Sequence, residues 1–566
     1  MARIHHLLIS HFRGIRRFEQ TFDGNFVCLI GRGDSGKSTI LEAISYVLSP
    51  SWNVPFYDND FYNCDTEKSI EIEVTLRDVP ADLLAEEKFG PYLRTLRLGT
   101  NEISDEIEEG EEALMTIRLE VKKDLEPKWN VLTHREVGIK PIGAGDRSRL
   151  NAFLVSDYLD RHFSWNKGSP LHTLFLQYAK PDDDDSTMID ALRQAKKMID
   201  GATFARFENI VSKIESNAKM FGATISKTEN TIDFKDIVIK DGKLSMHDRT
   251  VPFRMKGKGS RRLISMAIQT AIADVGGIIL IDEVEQGLEP DRVQNLVNTF
   301  KNQHKGQVFI TTHSRDVLVE LTAANLFLVR KGAQNLTRFE TSMQGVLRAN
   351  PEAFFAKKVL VVEGHTEIGI CRALNIHRYR LGHQTAGALG VRIAEGRGTT
   401  AFNYSRGFLK AGFAVALFCD SDEENKEAEK ENLRKMGAIV VDWQKGDCIE
   451  LAATRYLPFP AVLALLELAA NIKQQDDSSI TIEEIKNQLW NAVKAKYGKE
   501  CPEITNLSDS VEIRKAIGMA AKTGAWFKSQ DKGQQLGKLI FDNFENMEET
   551  NLMKKQLTAL SNWIGD

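Results

Sequence analysis

The stretch Phe26-Val27-Cys28-Leu29-Ile30-Gly31-Arg32-Gly33-Asp34-Ser35-Gly36-Lys37-Ser38-Thr39-Ile40-Leu41 decides how the rest of the chain is read. Five apolar residues read as a buried strand and the segment from Thr39 as a helix, so the glycine-rich piece between them is the loop of a strand-loop-helix unit. In that setting Gly31, Gly33 and Gly36, with Ser35 among them, let backbone N–H groups curl around a polyphosphate. The helix start at Thr39 adds a favourable dipole. Lys37 is placed to reach the β- and γ-phosphates and the Ser38 hydroxyl to hold Mg2+. A plain glycine-rich turn accounts for two of these glycines. It does not account for Lys37 and Ser38 in register after a strand, so the stretch predicts a nucleotide-binding site with Mg2+ at Ser38.

The chain has 566 residues, too many for one core, with 42% apolar and 27% charged residues as in an ordinary globular protein. The six cysteines are scattered without a C-x-x-C pair and read as reduced thiols. With no run of ~20 apolar residues and no signal-like start, a cytoplasmic protein with no membrane partner is expected. A formal net charge of -5 argues against coating nucleic acid by bulk charge and leaves room for a local basic groove.

Outward from the loop, residues 3–30 read as paired strands, and 69–78, 113–122 and 128–136 as further strands. The acidic stretch Glu102–Glu112 reads as a solvated loop, and residues 145–222 as a helical insertion for dimerisation. α/β rhythm resumes with a helix from Arg261 to Ala273 and strands at 277–281, 307–311 and 326–330. Residues 335–352 read as a polar connector. A second α/β unit has strands at 359–362, 414–418 and 438–441, and from about 451 the pattern is helical. The domain expectation is 1–345, 346–455 and 456–566.

Two constellations carry chemistry. In the first, the apolar run Ile278–Ile281 ends in Asp282 and Glu283, suited to holding Mg2+ through water and to polarising an attacking water. Gln286-Gly287-Leu288-Glu289-Pro290-Asp291 follows, and a later strand ends Thr311-Thr312-His313-Ser314. With these residues the chain resembles ABC-type ATPases of the SMC, Rad50 and RecF kind. The resemblance implies that His313 is a switch histidine, that Gly287–Asp291 is an interface loop, and that Gly257–Leu263, with Ser260, is a signature loop offered to a second copy. A homodimer or higher homo-oligomer is therefore expected. SMC and Rad50 proteins carry long heptad helices between phosphate loop and signature loop, whereas this insert has no sustained heptads.

In the second, Glu363 closes a strand and Glu367 follows four residues on, Asp420 and Asp422 follow the next strong strand, and Asp447 and Glu450 a third. Parallel strands bring such ends to one edge, and carboxylates without histidine or cysteine suit Mg2+ or Mn2+. The pattern resembles the TOPRIM domain, with Glu363 leading and Asp420-x-Asp422 as the metal pair. An SMC-like ATPase followed by TOPRIM resembles the OLD (overcoming lysogenization defect) nucleases, which include the Gabija anti-phage type. The resemblance implies that Glu367 and Glu450 are further ligands and that a late lysine assists, Lys528 being preferred to Lys522.

The expected fold is therefore α/β: an ABC-type (SMC/RecF-like) ATPase with a helical dimerisation insertion, then a TOPRIM α/β domain and a helical C-terminal region. The expected activity is ATP-binding, metal-dependent DNA endonuclease in anti-phage defence. The partners implied are DNA, copies of the chain and a second protein or nucleic-acid component. The alternative is an ATP-switched DNA-binding or scaffold subunit that recruits an effector.

Overall fold

The computed structural model describes residues 2–163 and 247–565 except positions 53, 98, 99, 101, 107–109, 136, 137, 151, 157–159, 274–276, 304, 305, 424, 425, 499, 500 and 502–506. Between 164 and 246 it describes positions 169–171, 174 and 194.

Two sheets form the first half. The first is antiparallel, in the order β2 (Ile15–Thr21), β1 (Arg3–Phe12), β4 (Ile70–Arg77), β7 (Glu112–Val121), β5 (Arg94–Arg97), β6 (Glu102–Ser104), with β8 (Pro127–Leu132) and β9 (Ile139–Pro141) attached through β7. The second runs β10 (Ala152–Val155), β13 (Ile278–Ile281), β14 (Gln307–Thr311), β3 (Phe26–Ile30), β15 (Leu326–Leu328), β16 (Thr337–Arg338), parallel except at β16. A small hairpin, β11 (His247–Asp248) and β12 (Val251–Pro252), stands apart. Helix α1 (Lys37–Val47) follows the phosphate loop, and α2 (Lys258–Ala273) and α3 (Pro290–Gln303) flank β13 in sequence.

The second half holds a parallel sheet ordered β18 (Val391–Glu395), β17 (Lys358–Val362), β19 (Ala414–Phe418), β20 (Ile439–Val441). Its helices are α4 (His365–Arg380), α5 (Thr400–Lys410), α6 (Glu427–Lys435) and α7 (Ile449–Tyr456). The C-terminal helices are α8 (Phe459–Asp476), α9 (Ile482–Tyr497), α10 (Val511–Thr523), α11 (Gln530–Asp542) and α12 (Leu552–Gly565).

The period of two along each strand divides side chains among three cores. In β3, Val27 and Leu29 join the core under the antiparallel sheet, while Cys28 and Ile30 face the other way. In β17, Leu360 and Val362 pack on the C-terminal helices, while Val359 and Val361 join Cys28 and Ile30 in one continuous middle core. This explains why both strands read as unbroken apolar runs: each is buried on both faces.

Four expectations change. Glu102–Ser104, within the acidic stretch read as a loop, pairs with β5 because residues 95–97 offer it an edge. Ala152–Val155 is not helical insertion but a parallel neighbour of β13; most of 157–222 lies outside the described residues. Helix α2 begins at Lys258, so Ser260 lies in its first turn. The connector is not simply polar: Phe339, Met343, Val346 and Leu347, with Phe354 just beyond it, are at most 3% exposed and belong to the middle core. At ~1.5–3 kcal/mol for each fully buried side chain, these five contribute about 10 kcal/mol to holding the two halves together. Across the same seam Arg330 donates to the Ala411 carbonyl at 2.5 Å and lies over the Phe413 ring.

All six cysteines are free. Among the described residues no helix is long and apolar enough to cross a membrane.

Candidate functional site

The strand order β13-β14-β3 builds the first site. The loop after β3 and the acids after β13 are separated by one strand, and the end of that strand joins them. Thr311 Oγ donates to Asp282 Oδ1 at 2.6 Å, and Ser38 Oγ donates to the same oxygen at 3.1 Å. The Glu283 N–H donates to Thr311 Oγ at 2.7 Å and fixes a left-handed backbone, φ +47°. Such a conformation in glutamate is costly and concentrates at functional sites. His313 follows β14, its N–H held by Glu285 at 2.7 Å, and its exposed ring lies 6.1 Å from Phe355.

Lys37 is buried and donates to the carbonyls of Gly31 and Arg32 at 3.1 and 2.9 Å. Burial lowers its pKa against the pull of Asp282 and Glu283. Gly31 is required by close approach: a Cβ there would lie 2.4 Å from the Val329 carbonyl oxygen. The buried Ser35 hydroxyl has no hydrogen-bond partner among the described residues. A polar atom left without a partner in a loop of backbone donors fits a phosphate group. The Ser260 turn packs on the Gly287 turn of the same chain, since a Cβ at Gly259 would lie 2.3 Å from the Gly287 carbonyl oxygen.

The second site lies at one edge of the second parallel sheet. Val362 is in register with both Glu395 and Phe418, and Phe418 with Val441. Glu363 and Asp420 therefore leave adjacent strands at one level, and the Asp420 N–H donates to Glu363 Oε2 at 3.0 Å. Glu367, in the first turn of α4, and Glu450, in the first turn of α7, are 5% and 4% exposed.

Burial, reinforced by Glu363 and Glu450, raises the Glu367 carboxyl to about 7. Burial, then Glu367, Glu450, Glu363 and Asp422, hold Asp420 well above the usual range. Five carboxylates thus feel one another in a space that disfavours their charge. Among the described residues no three acidic, histidine or cysteine side chains already close on one ion position. The donor set nevertheless fits a hard divalent cation: it is all oxygen, and the buried Asp420 Oδ1 has no partner among the described residues.

A model of the family described as "AAA domain, putative AbiEii toxin, Type IV TA system" matches residues 26–320, more than half of the chain. A model of the "overcoming lysogenization defect protein-like, TOPRIM domain" matches residues 354–422, ending at Asp422. The chain belongs to the OLD-like ATPase–TOPRIM family. No curated protein matches it in sequence. Among solved structures, the Smc head domain of Pyrococcus furiosus, with an extended coiled coil and bound to the C-terminal domain of ScpA, is 14% identical, with 59% of this chain and 96% of that one covered and a TM-score of 0.33. For the SMC head domain from Thermotoga maritima the values are 16%, 60%, 99% and 0.26. For the recombination mediator protein RecF they are 13%, 60%, 98% and 0.32.

In this OLD-like chain the AAA domain holds the first site and the TOPRIM sheet the second. The two late lysines differ in their surroundings. The Lys528 side chain is exposed on the turn before α11, whereas Lys522, in the last turn of α10, donates to Asp422 Oδ2 at 2.9 Å. That hydrogen bond, against partial burial, raises the Lys522 pKa.

Two residues were missed. Lys426 is 5% exposed and donates to Glu363 Oε1 at 2.7 Å. Burial opposes its charge, but that hydrogen bond prevails and raises its pKa. Its place four residues after Asp422 was the available signal. Arg262, 1% exposed, donates to the Asp282 and Glu283 carbonyls at 2.5 and 2.9 Å and so braces the acidic turn from α2. Nothing in its sequence setting separates it from Arg261.

Proposed function

We propose that this OLD-like chain is an ATP-binding, metal-dependent DNA endonuclease, working as a homodimer or larger assembly in anti-phage defence. Residues 1–345 form its ATPase, 346–455 its TOPRIM core and 456–566 a helical extension. The observation that carries the reading is the acidic cluster on successive strand ends, with one buried carboxylate oxygen lacking any partner among the described residues. Glu363, Glu367, Asp420, Asp422 and Glu450 would hold Mg2+ or Mn2+. The bound metal supplies an activated water and a clamp on the scissile phosphate. Lys522 holds Asp422 in place and, from that position, offers positive charge to the phosphoryl oxygens as they gain charge. Lys426 holds Glu363 and offsets part of the cluster's charge while the acids are otherwise bare.

At the first site Lys37, Ser35 and the backbone of Gly31–Gly36 would receive ATP phosphates, with Ser38 and Asp282 as the Mg2+ side. Glu283 would orient water, His313 would face the γ-phosphate, and Ser260 would come from a second copy. DNA is the partner read by both halves, and a second defence component completes the expected assembly.

The test is nicking of supercoiled plasmid in Mg2+ or Mn2+, with and without ATP, beside Glu363→Ala. Metal-dependent nicking by the parent and none by the variant is expected. Equal cutting by the variant removes the site assignment.

One observation favours a second reading, an ATP-switched DNA-binding scaffold: Lys426 and Lys522 already pair with Glu363 and Asp422. It requires no cutting by the parent in any metal and DNA binding that survives Asp420→Ala.

The two late lysines separate in the same assay. Lys522→Met is expected to lower the cleavage rate about 100-fold or more, the scale of losing one charged transition-state donor. Lys528→Met is expected to cut at close to the parental rate. The reverse order would return the role to Lys528.

A further inference from the structure

The turn that follows β18, Gly396-Arg397-Gly398, is built around an outward-facing cation beside the leading acid. The Gly396 N–H donates to the Val362 carbonyl at 2.8 Å and the Gly398 N–H to the Glu363 carbonyl at 3.1 Å. Both glycines flanking Arg397 are thus tied to the strand end that presents Glu363. Gly396 admits no side chain, since a Cβ there would lie 2.3 Å from Ala401 Cα. Between them Arg397 adopts φ +47°, a left-handed backbone that is unfavourable for an arginine, while its side chain is 80% exposed. A strained backbone that aims an exposed guanidinium from a fixed turn is not a packing requirement of the fold.

The electrostatics point the same way. Glu395 Oε1 lies 3.6 Å from Arg397 Nε and also 3.6 Å from Nε2 of His365, the first residue of α4, near enough for charge attraction without a direct hydrogen bond. One carboxylate shared by two basic side chains leaves donor capacity open on the guanidinium, which carries five N–H groups. Both basic residues stand at the carboxyl ends of parallel strands, where ligands bind in open α/β sheets. Arg397 also follows directly in register from the strand neighbouring Glu363. A guanidinium forks onto phosphate oxygens in bidentate fashion.

We infer that Arg397 is a substrate-positioning residue that grips a DNA backbone phosphate adjoining the one to be cleaved, with His365 as its auxiliary. The assignment rests on the nuclease reading above. It accounts for the strained turn, the exposure and the shared acid together, and it predicts an effect on binding rather than on the metal.

Arg397→Gly is the decisive variant, because glycine adopts φ +47° without strain and the fold should melt no lower than the parent. Binding of a fluorescent duplex by the full-length protein is measured in chelator across a salt series, beside plasmid nicking in Mn2+. Loss of one charged contact is expected to weaken binding about tenfold and to reduce the slope of log affinity against log salt by about one. KM should rise more than kcat falls, and Arg397→Lys should restore part of the affinity. If the parent cuts and Arg397→Gly binds with parental affinity and salt slope, the clamp is overturned while the nuclease stands. If the parent cuts in no metal, the nuclease reading falls and the clamp with it.

Discussion

Glu367→Gln is expected to abolish DNA cleavage and, at pH 8 in chelator, to make the protein more stable than the parent. The two effects share one cause. Glu367 is 5% exposed and stands among Glu363, Glu450 and Asp420, so burial and like charge raise its carboxyl to about 7. A carboxyl raised on folding contributes stability that is complete below its unfolded pKa of about 4.5 and is lost as pH climbs through its folded value. Between about pH 4.5 and 7 the metal-free parent should therefore lose stability at this position, by at most about 3 kcal/mol. Glutamine keeps the shape without the charge and escapes that loss. It also removes a ligand, so the metal site fails. Denaturant midpoints from pH 4.5 to 8, with and without Mg2+, provide the check. Mg2+ should raise the parental midpoint at pH 8 more than the variant's. A variant less stable than the parent at pH 8 would show that the carboxylate is satisfied by contacts inside the protein and is not held for a cation.

Glu283→Gln is expected to bind ATP normally and to hydrolyse it about 10²–10⁴-fold more slowly, the range of a lost general base. Its backbone is fixed by Thr311 Oγ and by Arg262 at its carbonyl, and glutamine bears the same φ +47° strain as glutamate, so folding should not change. Lys37→Ala removes the buried ammonium and should lose nucleotide binding itself. Fluorescent nucleotide titration beside phosphate release distinguishes these outcomes. Hydrolysis by Glu283→Gln at the parental rate would pass the water-orienting role to another group, of which Glu285, bound to His313 N–H, is the nearest by connection.

The parts of this molecule that were legible in the sequence are those with strong local signals. Phe26–Ile30, Ile278–Ile281 and Val359–Val362 read as buried strands because each divides its side chains between two cores. Strict alternation over Ile70–Arg77 marked a strand with one wet face. Strand β18 was missed because its five residues include Arg392 and Glu395 and only Val391 and Ala394 are buried. The packed connector was missed because its apolar residues are scattered among polar ones and meet only in three dimensions.

At the second site the acids were visible because they terminate apolar runs. Lys426 was not, and Lys522 was named only through the family resemblance, because pairing across 63 or 100 positions leaves no periodic trace. Lys522 had one usable sign. It sits beside the buried stripe Ile517, Ala520 and Ala521 of α10, whereas Lys528 lies on an exposed turn.

The continuous middle core also has a mechanical meaning. With Phe339, Met343, Val346, Leu347 and Phe354 sealed between the two parallel sheets, the described residues of the two halves meet through apolar packing. Arg32 of the phosphate loop reaches across to Gly390, where a Cβ would lie 2.5 Å from its Nη1, at the root of the strand neighbouring Glu363. The phosphate loop and the acidic cluster thus sit on one packed body, and excising either half would leave a greasy scar where the other had been.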